Sequence, residues 1–353
     1  MIAVSLFKWI VCSSVMATLL ICLALLVKFI FDKKLRASWH YMIWILVILK
    51  LLIPFGPESK LSIYNLFNLT DQKITTESYN VINTINTATS SIAKSTPLPG
   101  QEQPQGNTSS LPVSKSGDII YLSVFGLIIW LFGAIIAITY FLCHNIQLIN
   151  RLKMNEIKNT DAISQYFEDC KRKLGIRRKI RLKSVTFLNS PALFGIINPI
   201  LLIPDEMFNK DSLWILKYSI YHELSHYKRK DITINLILSI LLVVHWFNPI
   251  IWYAFYKLRQ DSEIACDELA LSYLGANENK NYGLALINMA ERFSQSYPTA
   301  LASCFFNDKT TLKRRLTKIA TYNKINHKTS LMVKFIFAVL CLIVLTNAVE
   351  NII

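Results

Sequence analysis

Charge is scarce in this chain. Asp, Glu, Lys and Arg make up 17% of its 353 residues, against roughly 25% in a soluble domain. Hydrophobic residues make up 52%. That deficit argues against a soluble globular protein and for a membrane protein. Cysteine pairing is also missing. Of the seven cysteines, Cys12, Cys22, Cys143 and Cys341 fall in or beside apolar runs, and Cys170, Cys266 and Cys304 fall in a basic stretch. None lies in the polar loop 57–117 and there is no C-x-x-C pair, so no disulfide framework is implied. No internal repeat and no nucleic-acid fold motif is present, which leaves the net charge of +15 without a nucleic-acid explanation.

The apolar residues come in blocks. Ile2 to Phe31 carries no charge but Lys8 and Lys28, and Trp39 to Phe55 is interrupted only by His40 and Lys50. Ile119 to Cys143 carries no charge, and Leu331 to Ala348 has Lys334 near its start. Crossing the hydrocarbon core takes about 20 apolar residues. The first and third blocks qualify easily, and the second and fourth are at the short end. The first is too long for a signal peptide and lacks a small-x-small exit, so it reads as a retained span. Lys and Arg then orient the spans. Residues 144–329 hold 27 Lys/Arg against 16 Asp/Glu, the loop 57–117 holds four of each, and the short connection Asp32–Arg36 carries Lys33, Lys34 and Arg36. Basic loops stay in the cytoplasm. The expected topology has the N-terminus out, the first loop in, 57–117 out and 144–330 in. The basic excess also favours an anionic lipid surface.

The regions follow from this. Residues 1–56 form two spans, and 57–117 is a polar loop with little to build a core. Residues 118–143 form the third span, 144–330 a cytoplasmic domain, and 331–349 the fourth span. Within the domain, Asn155 to Leu174 is amphipathic, with Ile157, Ile163, Tyr166, Phe167 and Leu174 near one face. "KIRLKSVTFL", Lys179 to Leu188, alternates as a strand. "PALFGIINPILLIP", Pro191 to Pro204, reads as two short strands about a turn at Gly195–Pro199. Asp211 is the expected N-cap of a helix from Leu213 to Lys228.

That helix contains "HELSH". His222 and His226, at i and i+4, share one face and can grip one ion through imidazole nitrogens. Glu223 lies beside the first ligand, where it can take a proton from a water polarised by the ion. Zinc needs a third protein ligand. The candidates lie in "RQDSEIACDELAL", Arg259 to Leu271. Glu263 and Asp267 share a helical face there, so one can bind the metal and the other can accept a hydrogen bond from the outer nitrogen of a ligand histidine. The bland alternative is an acidic helix face paired with Lys257 or Arg259.

Ile232 to Tyr256 has no charge and would pass for a fifth span. A straight helix of that length would be about 37 Å long and would carry Glu263 away from His226. A shared ion therefore requires the segment to turn back. Asn248–Pro249 is the expected corner of a re-entrant hairpin over 232–256. His245 beside it reads as a core or interfacial histidine before it reads as a ligand.

Together "SPALFGIINPILLIP", "YHELSHYKRKD", "HWFNPIIWYAF" and "RQDSEIACDELAL", with three spans before and one after, resemble the BlaR/MecR-type antirepressor membrane metallopeptidases. The resemblance covers nearly the whole chain. It implies a mainly α integral membrane protein with four transmembrane helices. A cytoplasmic α+β zinc-metallopeptidase domain of gluzincin type would lie between spans 3 and 4, in a bacterial cell membrane. It implies one Zn²⁺ held by His222, His226 and Glu263, with Glu223 as base and Asp267 bonded to a ligand histidine. It further implies cleavage of a cytoplasmic repressor, of the chain itself, or both. "SCFFNDKTTLKRRLTKI", Ser303 to Ile319, resembles the segment where such receptors cut themselves, although Lys313–Arg315 also reads as a positive-inside anchor. The full receptors carry a penicillin-binding domain after the last span. No S-x-x-K motif follows here, so a separate sensor protein, the outside loop or bilayer stress would supply the stimulus. Two further readings stay open: a quality-control or prenyl-protein zinc protease, and a non-catalytic transducer with a structural metal.

Overall fold

The computed structural model describes residues 2–31, 36–52, 115–154, 161–275, 277–296 and 309–322, with isolated positions between 335 and 346. The loop expected over 57–117 lies outside them except for its last three residues, and so does most of the fourth apolar block.

Helices α1 (Ile2–Phe31) and α2 (Ala37–Leu52) take up the first two apolar blocks. Helix α3 (Lys115–Met154) is 40 residues long and exceeds the expected 118–143 at both ends. Proline is absent from it, and its polar tail from His144 is made of residues that a helix accepts. Among the described residues, Trp9–Phe31 and Ser123–Leu152 are long and apolar enough to cross a membrane, and Ala37–Leu52 is shorter. Four spans were expected, and two helices meet the full length here. Phe335, Phe337–Val339 and Cys341 are helical, and the Phe337 ring meets Trp39 edge-on at 5.4 Å. Helix α3 exposes Phe125, Phe132, Ile135 and Ile136, a surface suited to lipid and costly in water.

The remaining elements build an α+β body. Helix α4 (Asp161–Leu174) buries Phe167, Cys170 and Leu174. Strands β1 (Arg181–Val185), β2 (Ala192–Phe194) and β3 (Ile200–Pro204) form a sheet in the order β1-β3-β2. β1 runs parallel to β3, with Arg181 opposite Ile200, and β2 runs antiparallel, with Leu193 opposite Leu201. The tight β2–β3 turn needs glycine at Gly195. Its φ is +89°, and a Cβ there would lie 2.8 Å from the Asn198 carbonyl oxygen.

Helix α5 (Leu213–Arg229) follows two 3₁₀ turns. The second turn includes Asp211, so Asp211 is not the N-cap. Ser212 occupies that place and makes no side-chain capping bond. Lys230 ends α5 in the left-handed conformation, φ 62°, and starts α6 (Asp231–Val244) at once.

Helix α6 stops at His245, and α7 (Pro249–Tyr273) begins after Asn248. The Asn248 Oδ1 accepts from the N–H groups of Ile250 and Ile251 at 2.9 and 3.4 Å, and proline takes the first helical position. The corner therefore follows from two adjacent residues. It is also anchored. The Asn248 amide donates to Ser14 Oγ at 2.8 Å and Thr18 Oγ1 at 2.9 Å, midway along α1. The Trp130 indole on α3 donates to the Val244 carbonyl at 2.9 Å, and Trp246 donates to the Trp130 carbonyl at 3.2 Å. Trp246 lies so close to α3 that a Cβ on Gly133 would fall 2.2 Å from its ring.

Helices α8 (Asn279–Ser296) and α9 (Lys309–Ala320) complete the body. Among the described residues there are two apolar cores. One joins α1, α2, α6 and the first half of α7 through Leu20, Ile21, Trp44, Leu238 and Ile251. The other joins α4, the sheet, α5, α8 and the end of α7 through Phe167, Leu201, Ile220, Leu224 and Ala270. Helix α7 runs through both.

Candidate metal centre

His222 and His226 face the same way from α5, as i and i+4 must. Their Nε2 atoms are 3.2 Å apart. The return of α7 brings Glu263 opposite, with Oε2 at 3.4 Å from His222 Nε2 and Oε1 at 3.6 Å from His226 Nε2. These three residues form a group able to hold a metal ion. Imidazole nitrogens at 2.0–2.1 Å from a tetrahedral zinc are themselves about 3.3 Å apart, close to the 3.2 Å between the two Nε2 atoms; the Glu263 carboxylate faces each nitrogen with a different oxygen.

The outer nitrogens decide which lone pairs converge. His226 Nδ1–H donates to Asp231 Oδ2 at 2.8 Å. Tyr282 donates its hydroxyl proton to Asp267 Oδ1 at 2.8 Å, so its oxygen accepts from His222 Nδ1–H at 3.0 Å. Asp267 Oδ1 is itself 3.1 Å from that nitrogen. With both protons on Nδ1, the two Nε2 atoms cannot hydrogen-bond each other. They present lone pairs to one point beside a carboxylate, which is the donor set that a cation requires.

Charge makes the same case. Glu223, Asp231, Glu263 and Asp267 stand against Arg229 and Arg315. The carboxylates around the site thus outnumber its two guanidinium groups. Burial disfavours the imidazolium of His222, yet its bonds to Asp267 and Glu263 outweigh that and hold its pKa well above the ordinary value. A proton and a metal thus compete for the same nitrogen. Burial works against the charged forms of Glu263 and Asp267 as well, but the nearby Arg315 and the histidines hold both below the carboxylate range. Glu223 goes the other way. Burial raises it, against the pull of His226 and His222 and a hydrogen bond from the Leu193 backbone N–H on β2.

The structure brings His222, His226, Glu223, Glu263 and Asp267 together. His245 is not among the metal-competent residues. It is buried at the hairpin tip, with no hydrogen-bond partner for Nδ1 among the described residues. The acidic residues of α7 do not pair with Lys257 or Arg259 as the bland reading required. Asp261 takes the Lys28 ammonium from α1, the Trp44 indole at 2.7 Å and Arg314 at 3.2 Å. Glu268 takes Arg36 Nε at 2.7 Å. Of the residues also readable as an anchor, Arg314 faces Asp261 and Arg315 faces Glu263 and Asp267.

Asp231, Tyr282 and Arg315 were not expected at the metal centre. Asp231 is a hub, also accepting from Tyr41 at 3.0 Å, Ser262 at 3.0 Å and Arg229 at 3.2 Å. Burial opposes its ionisation, but the bond from His226 and the charge of Arg229 hold its pKa down at about 2.

A family model described as BlaR1 peptidase M56 matches residues 8–319. The regulatory protein BlaR1 of Bacillus licheniformis is 27% identical over 316 residues, 88% of this chain and 50% of that protein. The methicillin resistance mecR1 protein of Staphylococcus aureus is 24% identical over 315 residues, 88% of this chain and 51% of that protein. The regulatory protein BlaR1 of Staphylococcus aureus is 25% identical over 320 residues, 90% and 51% of the two. The chain spans about half the length of the curated relatives it matches.

Proposed function

Because the chain belongs to the BlaR1 peptidase M56 family, we propose that it is a membrane-embedded zinc metalloendopeptidase acting in signal transduction. The observation that carries this reading is the convergence of His222 Nε2, His226 Nε2 and the Glu263 carboxylate at 3.2 to 3.6 Å. In it, His222, His226 and Glu263 hold one Zn²⁺, while Asp267 and Asp231 fix the two imidazoles through their outer nitrogens. Bound zinc supplies Lewis acidity toward a water and the scissile carbonyl. Glu223 takes the proton of the attacking water and returns it to the leaving amide nitrogen. Strand β2 lies at the sheet edge beside Glu223. A peptide added there as a further strand would be held extended by main-chain hydrogen bonds, with its scissile bond near the base.

The reading places four spans in the membrane, the metal centre on the cytoplasmic side and the α6–α7 hairpin re-entering the inner leaflet. The basic excess of 144–329 and the anchoring of the hairpin tip against α1 and α3 support this. The substrate is a cytoplasmic transcriptional repressor, the chain itself, or both, in line with relatives described as regulatory and as methicillin resistance proteins.

The test compares wild type, Glu223→Gln and Glu263→Ala in detergent, reading zinc content, cleavage of fluorescent casein and self-cleavage on gels. Wild type and Glu223→Gln should each carry about one zinc, and Glu263→Ala much less. Glu223→Gln should lose cleavage by about 10²–10⁴-fold. Cleavage unchanged in Glu223→Gln would refute the assignment of the base.

A further inference from the structure

Helix α9 holds none of the expected ligands, yet it closes one side of the metal centre. Its Arg315 side chain is 13% exposed. Nε reaches Asp267 Oδ2 and Nη2 reaches Asp267 Oδ1, both at 2.8 Å. Nη1 lies 3.1 Å from Glu263 Oε2. One planar group therefore spans two carboxylates that sit one turn apart on α7. The two have different tasks. Glu263 faces the ion, and Asp267 orients His222. As like charges they repel, and the guanidinium between them sets their spacing.

We propose that Arg315 is a positioning residue of the metal centre, bracing Glu263 and Asp267 as one unit so that the carboxylate and the His222 ring meet the ion together. The proposal rests on the zinc reading and deepens it. Its rival is plain neutralisation of charge, and the two separate cleanly. A neutraliser can be replaced by lysine without loss, and its removal would leave the site more negative and the cation held more tightly. A brace depends on the planar fork, which lysine lacks.

The full chain in detergent is compared as wild type, Arg315→Lys, Arg315→Ala and Arg314→Ala, the last controlling for a loosened α9 because Arg314 pairs with Asp261. Zinc affinity is read by chelator competition, and coordination geometry by the visible bands of the Co²⁺-substituted protein. Arg315→Ala should bind zinc about 10–100-fold more weakly, the usual cost of losing a group that orients ligands. Arg315→Lys should fall between it and wild type, with both spectra altered, and Arg314→Ala should match wild type. Equal or tighter zinc in Arg315→Ala would overturn the proposal. So would wild-type affinity and spectrum in Arg315→Lys, the variant that decides the matter if alanine prevents folding. A wild type that takes up neither metal would overturn the zinc reading, and this one with it.

Discussion

Replacing Asp261 by leucine strands a lysine. The Asp261 side chain is 1% exposed and that of Lys28 10%. The carboxylate accepts from the Lys28 ammonium, from Trp44 at 2.7 Å and from Arg314 at 3.2 Å. It is the polar joint between α1, α2, α7 and α9. Removing one member of a buried pair costs about 3–5 kcal/mol, because the other charge keeps its desolvation penalty and loses its partner. In a chain of 353 residues each kcal/mol moves the midpoint by about 1–2 °C, so Asp261→Leu should lower the unfolding temperature in detergent by about 3–10 °C. Adding Lys28→Met removes the stranded ammonium, and apolar replacement of both partners is often neutral or stabilising. The double variant should recover more than half of the loss, read by intrinsic tryptophan fluorescence on heating. A single variant within about 2 °C of wild type would mean that the pair is not desolvated. A double variant no better than the single would place the cost on Trp44 or Arg314.

Three further outcomes are expected. Asp231→Ala frees the His226 ring and should weaken zinc by about 10–100-fold in chelator competition; full retention would remove Asp231 from the site. Asn248→Ala loses the cap of α7 and the link to Ser14 and Thr18, and should cost about 0.5–2 kcal/mol in thermal unfolding, with Asn248→Ser recovering part through its capping oxygen. Glu278 is held below its ordinary value first by the Lys217 ammonium and then by the Tyr218 hydroxyl. Its stabilisation is present above the unfolded value of about 4.3 and is lost as the pH falls through the lower folded value. Wild type should therefore be more stable than Glu278→Gln near neutrality, and the difference should vanish in acid.

What could be read from the sequence was whatever is periodic or local. The i, i+4 spacing put His222 beside His226, and Glu263 beside Asp267. Asn248–Pro249 marked the corner because one residue caps and the other cannot continue the preceding helix. Asp231 escaped for a geometric reason. It is five residues after His226, which on a continuous helix would turn it away. The left-handed Lys230 ends the helix first and returns Asp231 to the ring. Tyr282 and Arg315 arrive from distant helices, and no spacing rule foretells that. Helix α3 runs past the span expected over 118–143 because hydropathy marks where lipid ends, whereas a helix ends only at a stop signal.

Helix α7 starts at a corner hydrogen-bonded to α1 and carries Glu263 fourteen residues further on, about 21 Å along its axis. A helix bonded at every turn hardly stretches, so it behaves as a connecting rod. Sliding α1 against α3 near Ser14 and Gly133 would push or pull the whole rod, and its far end is the proposed metal ligand. Ligand distances tolerate only about 0.2 Å. A stroke of about one ångström, far smaller than the rod is long, would be enough to draw the carboxylate off the ion and idle the centre.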